Sequence, residues 1–225
     1  MKKTIVMSLG GSLIVPDEID VHFLKNFKNI IEHYIKKDFR FIIYSGGGKI
    51  ARKYQKAASE IVNISNEDLD WLGIHATKLN AQLIKIIFKN NAESVVFDNP
   101  NKKINSKKNI IIASGWLPGC STDYDAVITA KKIKANEIIN MSSIDYVYDK
   151  DPKKFGDAKP FYNISWKEYR KLIDSEWSAG LNSPFDPVAS KEAEKLKLKV
   201  VIIGKDSKNL QDYLDGVDFK GTIIE

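Results

Sequence analysis

Three short segments of this 225-residue chain carry residue types suited to holding phosphoryl groups. Gly10-Gly11-Ser12 closes one apolar run, Ser45-Gly46-Gly47-Gly48 closes a second, and residues 115–122 follow a third. Consecutive glycines accept positive φ and bring backbone N–H groups close to an oxygen-rich anion. A helix starting after Gly48 would add the positive end of its dipole, with Lys49 and Arg52 just inside it. Arg52 carries extra weight because only three of the 35 basic residues are arginine, the others being Arg40 and Arg170. A planar bidentate donor suits phosphate in a way that lysine does not. Read singly, each glycine pair is also an ordinary strand-to-helix turn, and Arg52 an ordinary surface residue. The spacing matches neither the G-x-x-x-x-G-K-[ST] loop nor the dinucleotide G-x-G-x-x-G fingerprint.

The elements that must position these loops alternate between strand and helix. Short apolar runs predict strands over 4–9, 39–44, 94–97, 109–113, 137–141 and 200–203, with a short terminal strand near Thr222. Helical spacing predicts helices over 21–37, 50–61, 69–90, 123–134, 165–174 and 187–197, the first capped by Asp20. Residues 145–167, punctuated by Pro152, Gly156 and Pro160, read as hairpin and loop. Such alternation implies an α/β chain with a mainly parallel sheet covered by helices on both faces. Ligands of open sheets sit at the carboxyl ends of the strands, where the glycine loops lie.

Composition narrows the function classes. With 43% apolar and 28% charged residues the chain has the material for a sizeable core, which excludes a disordered or fibrous protein. Its net charge of +6 comes from dispersed lysines without a basic-aromatic stripe, so no nucleic-acid polymer is expected as partner. Cys120 is alone and cannot form an internal disulfide, and His22, His33 and His75 have no zinc spacing, so no metal ligand set is assigned. A reducing, cytoplasmic setting is expected. The apolar N-terminus superficially resembles a signal peptide, but Gly10-Gly11-Ser12 interrupts it and Asp17, Glu18 and Asp20 follow at once. No uncharged apolar run reaches the roughly 18 residues of a membrane span, and no membrane partner is expected.

Taken in order, Gly10-Gly11-Ser12, the Gly46 to Arg52 segment G-G-G-K-I-A-R, Asp70-x-x-Gly73-Ile74, Pro118-Gly119-x-Ser121-Thr122-Asp123, the run from Ile144 to Pro152, and Asp186-Pro187 resemble the amino acid kinase family. Within it they are similar to the branch of archaeal type that phosphorylates UMP, and the resemblance covers nearly the whole chain. It implies a single αβα sandwich over residues 1–225, with about 1–135 binding the acceptor and about 136–225 binding ATP. The implied reaction is MgATP plus UMP giving ADP plus UDP, a step of pyrimidine nucleotide biosynthesis. The implied assembly is a homohexamer built as a trimer of dimers.

The resemblance also implies roles. Gly47 and Arg52 would cradle the UMP phosphate, and Asp70 would accept the ribose hydroxyls. The loop Trp116, Leu117, Pro118, Gly119, Cys120, Ser121 and Thr122 would wrap uracil and that phosphate. Ser8, Leu9, Gly10, Gly11, Ser12 and Gly48 would lie on the ATP side, with Gly10, Gly11, Arg52 and Asp123 acting catalytically. Asp123 is either a helix N-cap or a group orienting catalytic lysines or Mg²⁺. Ser142, Tyr148 and Asp151 would line the nucleotide pocket, Tyr148 alternatively being plain core.

The chain departs from the common pattern in three places. Ser8 stands where many members carry a lysine that contacts the transferring phosphoryl group; Lys49 or Lys191 would have to supply charge instead. Tyr146 replaces a glycine in the ATP-side run, and Trp116-Leu117 replaces Thr-His, where Trp116 either closes over uracil or forms a hydrophobic lid or subunit contact. Another kinase of the family is one alternative, although acetylglutamate and aspartate kinases fit the motifs poorly. Isopentenyl phosphate kinases use a histidine that is missing here between Gly48 and Asp70. A noncatalytic nucleotide-binding or anion-storage protein on the same fold, suggested by Ser8, is the other.

Overall fold

A computed structural model describes residues 2–181 and 183–225. The chain runs β1 (Lys3–Leu9), α1 (Gly11–Ile14), α2 (Val21–Lys36), β2 (Phe39–Ser45), α3 (Gly48–Ile61), α4 (Asn66–Ile87), β3 (Ile110–Ala113), α5 (Thr122–Ile133) and β4 (Glu137–Met141). It continues with β5 (Val147–Tyr148), β6 (Pro160–Phe161), β7 (Asn163–Ile164), α6 (Trp166–Leu172), α7 (Pro187–Leu196), β8 (Lys199–Ile203), α8 (Ser207–Asp215) and β9 (Gly221–Ile224). Seven strands form one sheet in the order β3-β2-β1-β4-β8-β9-β7, and β5 and β6 form a separate antiparallel pair. The five strands from β3 to β8 are parallel, β9 is antiparallel to β8, and β7 runs parallel to β9.

The apolar runs are continuous because both faces are covered. Ile5, Met7, Leu9, Phe41 and Ile43 face one core, closed by Phe27 and Ile31 of α2, Ala81 and Ile84 of α4, and Leu210 of α8. Val6, Ile42, Tyr44 and Ile138 alternate onto the other, closed by Ala126 and Ala130 of α5, Tyr169 of α6 and Ala189 of α7. The result is the expected three-layer αβα sandwich.

Local signals explain most boundaries. Asp20 caps α2 by accepting from Phe23 N, and Ser65 caps α4 by accepting from Asp68 N. Ser165 and Glu168 form a reciprocal capping box at α6. The expected strand over 94–97 is absent as a strand: Ala92 and Phe97 each touch β3 at a single bridge, and Ser94 N turns instead onto Glu93 Oε1. Residues 204–220, unassigned in the sequence reading, hold α8. Asp206 caps it and Gly216 ends it at φ +74°.

A candidate active site at the strand ends

The parallel register brings the loops together. Leu9 pairs with both Ser45 and Met141, so the residues after them emerge side by side at the carboxyl ends. The ladder continues past the strands: Gly10 N donates to Met141 O at 2.8 Å, Gly46 N to Leu9 O at 2.9 Å, and Ser142 N to Ile203 O at 2.8 Å. A cleft of about 250 Å³ opens above them. Its wall includes Ser8, Gly10, Gly11, Ser12, Gly47, Gly48, Arg52, Asp70, Leu117, Cys120, Ser121, Thr122, Asp123 and Ser142. Fourteen of the expected residues therefore share one cavity. Leu9 does not line it, being fully buried core, and neither do Trp116, Pro118 and Gly119. Tyr148 sits half-buried in the β5–β6 pair, edge-on to Tyr146, and exposed Asp151 accepts from Lys153 N in its own turn.

The glycines are required by backbone packing as much as by any ligand. A Cβ on Gly11 would meet the Gly46 carbonyl carbon at 2.6 Å and press into the Gly48 N–H. A Cβ on Gly48, whose φ is +65°, would meet the Gly11 carbonyl carbon at 2.7 Å. The two loops thus lie backbone against backbone. Asn80 of α4, 2% exposed, donates from Nδ2 to Gly46 O at 2.9 Å and Gly47 O at 3.1 Å, fixing the orientation of those peptide groups. Thr77, one turn earlier, accepts from Gly115 N at 2.9 Å and holds the start of the 115–122 loop.

Arg52 is exposed on the first turns of α3 and lines the cleft without a salt bridge among the described residues. The two lysines offered as replacements for the missing one at position 8 are elsewhere. Lys49 is paired with Asp17, and Lys191 Nζ donates to Ser175 O; neither lines the cleft. Arg52 is the one cationic side chain in its wall among the described residues.

Asp123 is not the N-cap of α5. Ser121 takes that role, its Oγ accepting from Asp123 N at 3.0 Å. The Asp123 carboxylate instead accepts from Ser8 Oγ at 2.6 Å and from Asn140 Nδ2 at 3.2 Å. Burial, and then the charge of Asp186, push its carboxyl above the usual carboxylate range, with Ser8 opposing. Asp186, also raised by burial, caps α7 through Ala189 N and accepts from Ser121. Asp125 lies beneath, 1% exposed; burial pushes it up to about 8 against the hydrogen bond from Trp116 N, and its Oδ1 has no partner among the described residues. Burial, followed by the nearby Asp125, Asp186 and Asp70, also raises the Cys120 thiol, which disfavours its thiolate as a nucleophile.

Sequence reasoning missed Gln55, Thr77, Asn80, Asn140, Ser143 and Trp177, all in or behind the cleft wall. Asn80 carried a signal: it is a polar residue on the buried stripe of Ile74, Thr77, Ala81 and Ile84. Trp177 carried none.

Known proteins resemble this chain along its whole length. The chain is 34% identical to a uridylate kinase of Thermococcus sibiricus, covering 98% of this chain and 99% of that one. It is equally 34% identical to a uridylate kinase of Thermoplasma volcanium over 100% and 99% of the two chains. The uridylate kinase structure from Archaeoglobus fulgidus superposes with a TM-score of 0.82 at 30% identity over both full chains. A UMP kinase from Ureaplasma parvum, at 21% identity, shares the fold with a TM-score of 0.78 over 100% of this chain and 99% of that one. The amino acid kinase family model matches residues 3–204, and the chain, with its paired glycine loops at the strand ends, belongs to that family.

Proposed function

We propose that this chain is a UMP kinase that transfers the γ-phosphoryl group of MgATP to UMP, giving UDP and ADP. The carrying observation is that Arg52, Asp70, both glycine loops and Ser121-Thr122 line one cleft. The full-length likeness to archaeal uridylate kinases supports the same reading. In it Asp70 and the 115–122 loop hold UMP, while residues from about 136 onward, with Ser142, Tyr148 and Asp151, hold ATP.

An oxygen of the UMP phosphate attacks the γ-phosphorus in line, the bond from that phosphorus to the β–γ bridging oxygen breaks, and ADP leaves. The attacking oxygen is already anionic near neutral pH, so no strong general base is needed. The chain's task is alignment and charge stabilisation. Arg52 offers a guanidinium fork to the transferring group, and the N–H groups of Gly11, Gly47 and Gly48 offer fixed dipoles, while the N–H of Gly10, expected to act with them, is taken by Met141 O. Mg²⁺ neutralises charge on the triphosphate when bound. Asp123, a carboxylate in the cleft wall beside Ser8 and Asn140, fits as its protein partner.

Assembly into a homohexamer is part of the proposal. Tyr54 and Ile61 of α3 and Leu79 and Ile86 of α4 are each more than half exposed, which supports contact with further copies. Light scattering of the purified protein tests it. No helix among the described residues is long and apolar enough to cross a membrane. We place the protein in the cytoplasm, in pyrimidine nucleotide biosynthesis.

The deciding experiment is steady-state ADP formation with MgATP, offering UMP, CMP, dUMP, AMP, isopentenyl phosphate and acetylglutamate separately, with UDP identified directly. Preference for UMP is expected. Binding of UMP and ATP without turnover of any acceptor would replace the kinase with a noncatalytic nucleotide-binding protein, the reading that Ser8 favours.

A further inference from the structure

The carboxylate proposed to receive the acceptor's ribose is already engaged. Trp177 Nε1 lies 3.0 Å from Asp70 Oδ2 and 3.3 Å from Oδ1, so one indole N–H is shared by both oxygens. Gly119 N donates to Oδ2 at 2.7 Å. A donor nearly equidistant from two carboxylate oxygens sits on the edge between them. That edge is where a vicinal diol, with its two neighbouring O–H groups, would bind side by side. Asp70 is only 8% exposed, so a diol cannot reach it while the indole stays.

Trp177 is placed to leave. It belongs to no strand or helix, standing between the end of α6 at Leu172 and the start of α7 at Pro187. Its neighbours Asp174, Ser175, Glu176 and Ser178 are exposed, and the stretch is held by peripheral ties such as Lys191 Nζ on Ser175 O and Ile173 at the core's edge. The contact spans 107 residues of sequence and joins the connection before α7 to α4.

We propose that Trp177 gates the acceptor site: its indole N–H occupies the diol edge of Asp70 in the empty cleft, and a ribonucleoside monophosphate binds by replacing it with its 2′- and 3′-hydroxyls. The inference rests on the reading of Asp70 as the ribose seat. A ligand without the diol has nothing with which to displace the indole. Trp177 therefore lowers the affinity for diol-bearing ligands alone.

The test is calorimetric titration of wild type and Trp177→Phe, which keeps a ring and removes the N–H, with UMP and with 2′,3′-dideoxyuridine monophosphate. The UMP dissociation constant should fall about fivefold in the variant, the equivalent of one net hydrogen bond, while that of the dideoxy compound stays within about twofold. An unchanged or weakened UMP affinity, or an equal gain for both ligands, overturns the gate. As a second measurement, UMP should increase acrylamide quenching of tryptophan fluorescence in wild type and not in the variant; no increase in wild type overturns the gate as well. If wild-type protein binds no UMP, the acceptor reading itself falls, an outcome distinct from normal UMP binding that is indifferent to Trp177→Phe.

Discussion

Two of the three arginines are committed to the scaffold. Arg40 donates to the carbonyls of Ser106 and Lys108, and Arg170 pairs with Glu194. Arg52 alone turns to the cleft, and its rarity in a lysine-rich chain was the clue that singled it out. Arg52→Ala should lower turnover on the order of a hundredfold while circular dichroism and melting temperature stay near wild type, because the side chain is exposed. Asp70→Asn should weaken UMP about tenfold or more and ATP less than about twofold, read by separate titrations. Asp70 was legible only through its family motif, since by position it is one acid among several on a helix. Trp177 was not legible at all, because its meaning lies in a contact with a residue 107 positions away. The same holds for Ser8, whose hydroxyl finds Asp123 across 115 residues.

Among the elements, parallel strands were easy to read, since burial on both faces leaves unbroken apolar runs such as Ile110–Ala113. The run over 94–97 misled for the same reason: Val95 and Val96 have strand chemistry, yet Val95 is 69% exposed and only Phe97 of the segment bridges β3. α8 was passed over because Leu210, Tyr213 and Leu214 are few, although its Asp206 and Gly216 caps were readable. How α4 serves the glycine loop was hidden, because Asn80 bonds carbonyls rather than side chains. Asn80→Ala would strand the Gly46 and Gly47 carbonyls, and should cost about 1–3 kcal/mol in urea denaturation. Turnover should fall with it as the loop loosens.

Across the whole molecule, buried acids make stability depend on pH. Asp125 binds its proton up to about pH 8 when folded and releases it near pH 4 when unfolded, so in that window the folded state holds the extra proton. Asp123 and Asp186 shift in the same direction. Through Asp125 alone, stability should decline as pH rises from about 5 to 8, by up to about 1.4 kcal/mol per unit. Thermal midpoints at pH 5.5 and 8.5 read the slope directly, and Asp125→Asn should flatten it. The overall sandwich was visible in the alternation of elements; the reversal of β9 beside β8 was not, since strand direction leaves no trace in a four-residue segment. The backbone contact between Gly11 and the 46–48 loop has a consequence for how such a chain can change over generations. The spacing between the two loops is gauged by main-chain atoms, which every amino acid shares. Substitutions elsewhere can retune what each loop grips, while a side chain at Gly11 or Gly48 would have to force the two loops apart.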